Sequence, residues 1–322
     1  MQLSERLLGT IEELVNAIDR HSLYASATAL SLRYREKGSK EQVFIKSPEE
    51  ALAYLCTRFP ATFAANCCVF SEVKEPICSI LDVGSGSGSA FWAAKETLSG
   101  LISYAFLERD AFLIEIGKKL LESDEKSIST SWIEGDFTKI FPEGLFDLIV
   151  FSYSLGEVKE NEWKLLLQKA WNHSNEWVVI VEPGTPLGYR RLMKMRDILI
   201  TLGGHVMAPC PHSQKCPLLQ GEDWCHFSQR LPRSPLHRLV KEGSLGFEDE
   251  KFSYVIISKS LPSPKGERVL RPPLKRGGYI EWKACTPFEG VIDRKTFKKN
   301  KELFQKAKKL TGGSFYDEDL SS

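Results

Sequence analysis

Four cysteines in the second half of the chain have the type and spacing to form a metal centre. Three fall within "CPHSQKCPLLQGEDWC" and one within "YIEWKACTPFEG", giving the set Cys210, Cys216, Cys225 and Cys285. Four thiolates suit either a tetrahedral zinc ion or an iron–sulfur cluster. The C-x5-C and C-x8-C spacings lack the C-x2-C pairs of common zinc sites. The thiol pattern therefore predicts a metal centre without deciding the metal, and His212 and His226 remain alternative zinc ligands.

A glycine-rich turn is the second candidate site. "LDVGSGSGS" follows the apolar run "SILDV" and precedes a helical segment, so Gly84, Gly86 and Gly88 can bring the backbone close to a ligand. The free amides of a helix start bind carboxylate or phosphate groups. Glu108 stands about twenty residues further on, where an acidic side chain binds ribose hydroxyls. These features predict a site for a nucleotide-like ligand.

The form of this turn identifies the expected ligand by resemblance. The pattern D-x-G-x-G-x-G resembles the first motif of class I S-adenosylmethionine-dependent methyltransferases, whereas the dinucleotide pattern fails because Ser89 replaces its third glycine. The resemblance implies an S-adenosylmethionine pocket in which Glu108 binds the ribose and the "EGDF" stretch flanks the adenine. The implied contacts are Asp82, Gly84, Ser85, Gly86, Gly88, Glu108, Asp136, Phe137 and Ser152.

No catalytic residue can be named from the sequence. Many amine methyltransferases of this class carry a D/N/S-P-P-Y/F motif after the fourth strand, where this chain has Ser152-Tyr153-Ser154-Leu155. A cysteine nucleophile at Cys210, within "APC", is an alternative. The sequence thus predicts a methyltransferase fold and leaves the catalytic group unknown.

The elements that must position these residues predict an α/β protein. Apolar residues at three- and four-residue steps make residues 1–75 a helical region, in which Ser47, Pro48 and Glu50 form a helix start. Short apolar strands then alternate with helices, which predicts a Rossmann-like sheet of the class I methyltransferase type. We expect this domain over residues 76–260, with a Cys-rich insertion at 209–250. A basic extension, 261–322, then contributes the fourth metal ligand.

Several long motifs together resemble one family. "VEPGTPLGYRRLMKMRDIL", "APCPH", "DWCHFSQRLPRS" and "RVLRPPLKRGGYIEWKACTP" are similar to the methyltransferase-like proteins of mitochondrial small-ribosomal-subunit assembly and their bacterial relatives. The resemblance implies a 4Fe–4S cluster on the four cysteines and binding to small-subunit ribosomal RNA. We expect a methyltransferase acting on that RNA. The alternatives are a catalytically inactive RNA-binding assembly factor and a zinc-binding RNA methyltransferase.

Charge and targeting signals complete the expectations. The formal net charge is only +1, but residues 261–310 carry 14 basic against 5 acidic side chains. We expect an RNA surface there. The residues proposed for it are Arg268, Arg271, Lys275 and Arg276 around Tyr279 and Trp282, together with Arg230 and Arg233.

The sequence shows no signal peptide or membrane span, and acidic residues near its start argue against a transit peptide. These features predict a monomer in the bacterial cytoplasm, with mitochondria the less favoured location.

Overall fold

The computed structural model describes residues 3–36, 45–124, 127–233, 246–263 and 266–317. The chain forms two compact units, one from residues 1–175 and 229–250 and the other from 176–228 and 251–322. These units are defined by how the chain packs, so they do not test the boundaries at residues 75 and 260 that the composition predicts. Those boundaries stay predictions. Parts of all three expected segments, including 234–245 of the Cys-rich insertion, lie outside the described residues. Within the described ranges, no helix combines the length and apolarity needed to cross a bilayer.

The first unit begins with four helices, as the apolar periodicity predicts. They are α1 (Glu5–Asn16), α2 (Arg20–Glu36), α3 (Pro48–Thr57) and α4 (Phe59–Phe70). The Ser47 hydroxyl accepts a hydrogen bond from the Glu50 amide at 3.3 Å, so the predicted cap of α3 is confirmed. The Glu50 carboxylate instead accepts from the Lys46 amide at 2.8 Å and pairs with Arg33. Only half of a reciprocal capping box therefore forms.

A parallel sheet follows in the same unit. Its strands are β1 (Ser79–Val83), β2 (Ser103–Glu108), β3 (Ser129–Glu134) and β4 (Phe146–Ser152), in the order β3-β2-β1-β4. Three helices alternate with them or follow them: α5 (Ser89–Thr97), α6 (Ala111–Glu122) and α7 (Glu160–His173). Strand β1 runs parallel to both β2 and β4, so the strand order reverses beside it. Ligands of open α/β sheets bind at this kind of switch point, and the predicted Rossmann-like fold class is confirmed.

Most of the remaining secondary structure belongs to the second unit. It includes β5 (Ser174–Pro183), α8 (Pro186–Thr201), β6 (His205–Ala208) and a short 3-10 turn, Pro217–Gln220. The chain passes between the two units within β7 (Phe227–Pro232) and β8 (Phe247–Ser258). Strands β5 and β6 both pair antiparallel with β8. The three cysteines of the 209–250 stretch lie between β6 and β7.

A small antiparallel sheet completes the second unit. Its elements are β9 (Glu267–Val269), β10 (Leu274–Lys275), β11 (Tyr279–Cys285), β12 (Val291–Phe297), helix α9 (Lys301–Lys309) and β13 (Phe315–Tyr316). Strand β12 pairs with β11 along its whole length. Ile280, Trp282 and Ala284 of β11 face a core that includes Phe304 of α9. Since Trp282 is buried there, the expectation that it stacks on RNA is wrong.

Candidate functional site

The glycine turn after β1 has a backbone that favours glycine. Gly84, Gly86 and Gly88 have φ angles of +73°, +58° and +88°, a region that other L residues rarely adopt. A Cβ at Gly84 would lie 2.5 Å from Cβ of Ser154 and 3.1 Å from the Phe137 ring. The turn thus stays tight because these positions carry no side chain.

Glu108 at the end of β2 is bonded to this turn. Its Oε2 accepts from the Gly86 amide at 2.7 Å, and its Oε1 accepts from the amides of Arg109 and Asp110 at 2.8 and 3.0 Å. Burial raises the pKa of this carboxyl, while those three amide bonds act in the opposite direction. A carboxylate offers about four lone-pair positions, so roughly one remains for a ligand hydroxyl.

Asp82 lies beneath the turn, fully buried on β1. Its Oδ2 accepts from the Tyr104 hydroxyl at 2.9 Å, and burial raises the pKa of the carboxyl to about 7. Asp82 Oδ1 and the hydroxyls of Ser85 and Ser87 are buried without a hydrogen-bond partner among the described residues. Buried polar atoms are nearly always hydrogen-bonded, so these three fit a polar ligand at the turn.

Of the remaining predicted contacts, Phe137 lies at the glycine turn, whereas Asp136 and Ser152 form hydrogen bonds elsewhere. Phe137 approaches Gly84 and is buried, which places its ring beside the turn. Asp136 accepts from the amide and hydroxyl of Thr138 at 3.0 and 2.7 Å, so it shapes its own loop. The Ser152 hydroxyl donates to Asn66 Oδ1 at 3.0 Å, and this contact leads towards α4.

Sequence reasoning missed a cluster of three side chains from separate elements, which we call the Arg58 cluster: Arg58 before α4, Tyr153 after β4 and Glu250 of β8. Tyr153 has φ +60°, which is unusual for a tyrosine and marks a backbone that its surroundings must hold. Its hydroxyl donates to Glu250 at 3.1 Å, and the Arg58 guanidinium lies 3.3 Å from Glu250 and 5.7 Å from the Tyr153 ring. The positive φ is not visible in the sequence. Tyr153 does, however, belong to the Ser152-Tyr153-Ser154-Leu155 stretch, compared above with the amine-methyltransferase motif.

The four predicted metal ligands line one cavity in the second unit: Cys210, Cys216, Cys225 and Cys285. The Tyr189 hydroxyl lies 3.1 Å from Sγ of Cys216, and His212 Nε2 lies 3.6 Å from Sγ of Cys285. Throughout the described part of the chain, no three Cys, His, Asp or Glu side chains converge closely enough to hold a metal ion. The cysteines thus share a cavity, and the structure does not establish a metal site there.

Buried positive charge surrounds this cavity. Arg196 and Arg268 are 0% and 1% exposed, and Arg268 donates to the carbonyls of Pro209 (2.9 Å) and Gly313 and stacks 3.7 Å from the Phe315 ring. Burial raises the pKa of Cys210, and Arg196 acts against that rise. Arg196 Nε and His212 Nδ1 have no hydrogen-bond partner within the described residues. Arg196 also pairs with Asp197 at 3.0 Å, so part of this positive charge is already balanced. Thiols beside two buried cations are compatible in chemistry with a group that carries negative charge.

The structure also corrects the expected RNA surface. Arg268 lies inside the fold rather than on the surface. Arg271 braces the cysteine loop through Asp223 at 2.7 Å and the carbonyl of Trp224 at 2.6 Å. Arg230 and Arg233 pair with Asp249 and Glu248, so nearby carboxylates balance their charge. Counting basic residues in the sequence could not reveal these partners, which lie 15 to 48 residues away along the chain.

Sequence comparison places these features in a family context. The sequence profile described as "Mitochondrial small ribosomal subunit Rsm22" matches residues 48–317. The chain is 30% identical over 260 residues to human "Ribosome assembly protein METTL17, mitochondrial", covering 74% of this chain and 55% of that protein. It is 24% identical to "Rsm22-cox11 tandem protein 2, mitochondrial" of Schizosaccharomyces pombe, covering 86% of this chain and 44% of that protein. The chain thus spans about half the length of these curated relatives.

The same comparisons correct one expectation. Each of these relatives is named as a mitochondrial protein, which contradicts the predicted cytoplasmic location. Among solved structures, magnesium protoporphyrin IX methyltransferase from Synechocystis with bound S-adenosylmethionine aligns with a TM-score of 0.43 and 11% identity. That alignment covers 76% of this chain and 98% of the other.

Proposed function

Since this chain belongs to the mitochondrial small ribosomal subunit Rsm22 family, we propose that it is a methyltransferase-like factor in small-ribosomal-subunit assembly, binding the subunit or its RNA. The observation that carries the proposal is the family match over residues 48–317, which includes both candidate sites. The human relative is named as a ribosome assembly protein, in agreement with this role.

The proposed methyl donor is S-adenosylmethionine, bound at the glycine turn. The buried, unpartnered atoms of Asp82, Ser85 and Ser87 support a polar ligand there. Glu108 would accept a hydrogen bond from one ribose hydroxyl while it accepts another from the Gly86 amide. Phe137, whose ring lies beside Gly84, would contact the adenine. In this proposal the chain's own residues bind and orient the donor.

The proposed group at the cysteine cavity is a 4Fe–4S cluster held by Cys210, Cys216, Cys225 and Cys285. A bound cluster would cross-link the loop between β6 and β7 to β11, and it would add a one-electron redox centre. The shared cavity and the two buried arginines support a group that carries negative charge. Zinc on the same thiols is the alternative, and the iron content of anaerobically purified protein separates the two.

Methyl transfer itself requires a group that orients the acceptor. Tyr153 of the Arg58 cluster follows β4, and the cluster's geometry could position a polar acceptor, although Ser152-Tyr153-Ser154-Leu155 contains no proline pair. A catalytically inactive assembly factor therefore stays the second candidate, with the donor as a structural ligand.

The test of the role is association with the small subunit. We expect the full chain to co-sediment with small-subunit precursors and not with mature large subunits. Its absence from every small-subunit fraction would overturn the assembly role. Transfer of labelled methyl groups to precursor RNA, lost in Glu108→Ala, would assign the enzyme. Co-sedimentation without transfer would assign the inactive factor.

A further inference from the structure

The outer face of the small sheet carries a pair of aromatic rings. Along β11, Ile280 and Trp282 point into the core, so Tyr279 lies on the opposite face. Tyr279 stands directly across from Phe297 of β12, with ring centroids 6.2 Å apart and planes at 54°. Phe297 is 45% exposed. Two adjacent aromatic rings thus open towards solvent at one end of this sheet.

Lysine side chains surround these rings. The ammonium of Lys295 lies 3.9 Å from the Tyr279 ring centre and 5.4 Å from that of Phe297, and Lys299 lies 5.8 Å from Phe297. From Arg294 to Lys309 the sequence contains eight basic residues and one acidic residue, Glu302. Glu281, which pairs with Lys295 at 2.6 Å, and Asp293 lie further along the same face. Arg294 pairs with Glu267, and Lys306 lies 3.4 Å from Glu302, so they do not serve the rings. The cations placed beside the rings are Lys295 and Lys299.

We propose that Tyr279 and Phe297 form a stacking platform for unpaired RNA bases, with Lys295 and Lys299 binding the adjacent phosphates. The RNA identity of the partner rests on the proposed function. Base stacking on aromatic side chains combined with a cationic track is how proteins hold single-stranded nucleic acid. An aromatic cross-strand pair also stabilises a hairpin, but that role alone does not require lysines around exposed rings.

Single-stranded RNA fits this surface better than a duplex. A duplex buries its bases in the stack and presents its phosphates, and lysines alone would be enough to bind those phosphates. Tyr279 and Phe297 instead offer faces to bases that have left a helix. The lysine over Tyr279 would move to a phosphate as a base takes its place.

The experiment is a binding titration of the full chain with a fluorescently labelled, unstructured RNA of about twelve nucleotides. Stacking contributes about 1–3 kcal/mol per base, so Phe297→Ala and Tyr279→Ala should each weaken binding roughly 5- to 150-fold. Phe297→Tyr should retain it. Leu274→Ala is the matched control, because Leu274 is 46% exposed on the neighbouring strand β10. An abasic oligonucleotide of the same length should bind weakly to every variant.

Each outcome decides the proposal. Equal binding by Phe297→Ala and wild type, or equal binding of abasic and ordinary RNA, would overturn the platform. Lys299→Ala should reduce the magnitude of the slope of log affinity against log salt by about 0.7, the value for one lost phosphate contact on single-stranded nucleic acid. Stronger binding to anionic vesicles than to RNA, lost in Phe297→Ala, would assign the surface to membranes instead. If wild type co-sediments with the small subunit while Phe297→Ala binds RNA normally, only the platform fails.

Discussion

Glu108 has a structural role even without a ligand. Its carboxylate joins the end of β2 to the amide of Gly86 and to the amides of Arg109 and Asp110, just before α6. Loss of this side chain would therefore loosen the turn as well as remove the proposed ribose contact. Affinity measurements on Glu108→Ala combine both effects, so a steric variant is needed to isolate the pocket.

Gly84→Ala is that variant. Its Cβ would lie 2.5 Å from Ser154, and φ is +73°. We expect a loss of about 2–4 kcal/mol of stability from strain and overpacking, and weaker S-adenosylmethionine binding by calorimetry. Gly144→Ala is the control, because φ is +105° but nothing lies within 4 Å. Equal behaviour of the two variants would show that space at Gly84 does not matter.

Asp82 gives a pH prediction. Its pKa is raised from 3.8 to about 7, so the folded chain keeps the proton at pH values where the unfolded chain releases it. Its contribution to stability is present below pH about 4 and is lost as the pH rises through about 7. Compared with wild type, Asp82→Asn should gain up to about 4 kcal/mol in free energy of unfolding over this interval.

The control for this prediction has the opposite sign. Burial would raise the pKa of Asp147, but hydrogen bonds from Asn175 and from the amides of Cys78 and Ser79 lower it overall. Asp147→Asn should therefore lose stability relative to wild type above pH about 4, and that difference should shrink as the pH falls through the lowered pKa. Denaturant titrations at several pH values measure both trends. If the free energies of unfolding of wild type and Asp82→Asn vary with pH in parallel, the pKa of Asp82 is not raised by its burial.

At the level of elements, strand β11 joins the two candidate sites of the second unit. Tyr279 begins the strand on its outer face, and Cys285 ends it beside the cysteine cavity. A group bound by all four thiols would fix the end of this strand to the loop before β7. The stability of the small sheet should therefore depend on that group.

Cys285→Ser tests this dependence. If the four cysteines hold the proposed cluster, Cys285→Ser should lose iron and visible absorbance and should melt at a lower temperature, because it loses a ligand and the cross-link. Cys78→Ser is the matched control, since Cys78 is exposed and belongs to the first unit. Full iron content in Cys285→Ser alongside its loss in Cys216→Ser would remove Cys285 from the ligand set.

These elements also show what the sequence could predict. The strand–turn–helix around Gly84 and the cap at Ser47 follow from local chemistry, and the structure contains both. The alternation in "YIEWKAC" places Trp282 with Ile280, so its burial was readable from period-two patterning. The burial of Arg268 was not readable, because its contacts at Pro209 and Gly313 lie 59 and 45 residues away. Phe297 was missed because only the strand register places it opposite Tyr279.

At the scale of the whole molecule, charge is distributed unevenly. The complete chain has a formal net charge of +1, although the sixteen residues from Arg294 to Lys309 alone carry +7. A nearly neutral protein with one concentrated basic segment attracts nucleic acid locally rather than over its entire surface. Such a distribution agrees with a single RNA contact region in the second unit.

The contacts of Arg268 have a consequence for the timing of synthesis. This one guanidinium joins the backbone before Cys210 to the carbonyl of Gly313 and the ring of Phe315. About 105 residues separate Cys210 from Phe315 along the chain, and translation adds roughly 5–20 residues per second. Roughly 5–20 s therefore pass between the synthesis of Cys210 and that of the residues that hold the Arg268 guanidinium. During that interval the Cys210 thiol lacks the folded surroundings that later bury it, and the speed of the ribosome sets how long this lasts.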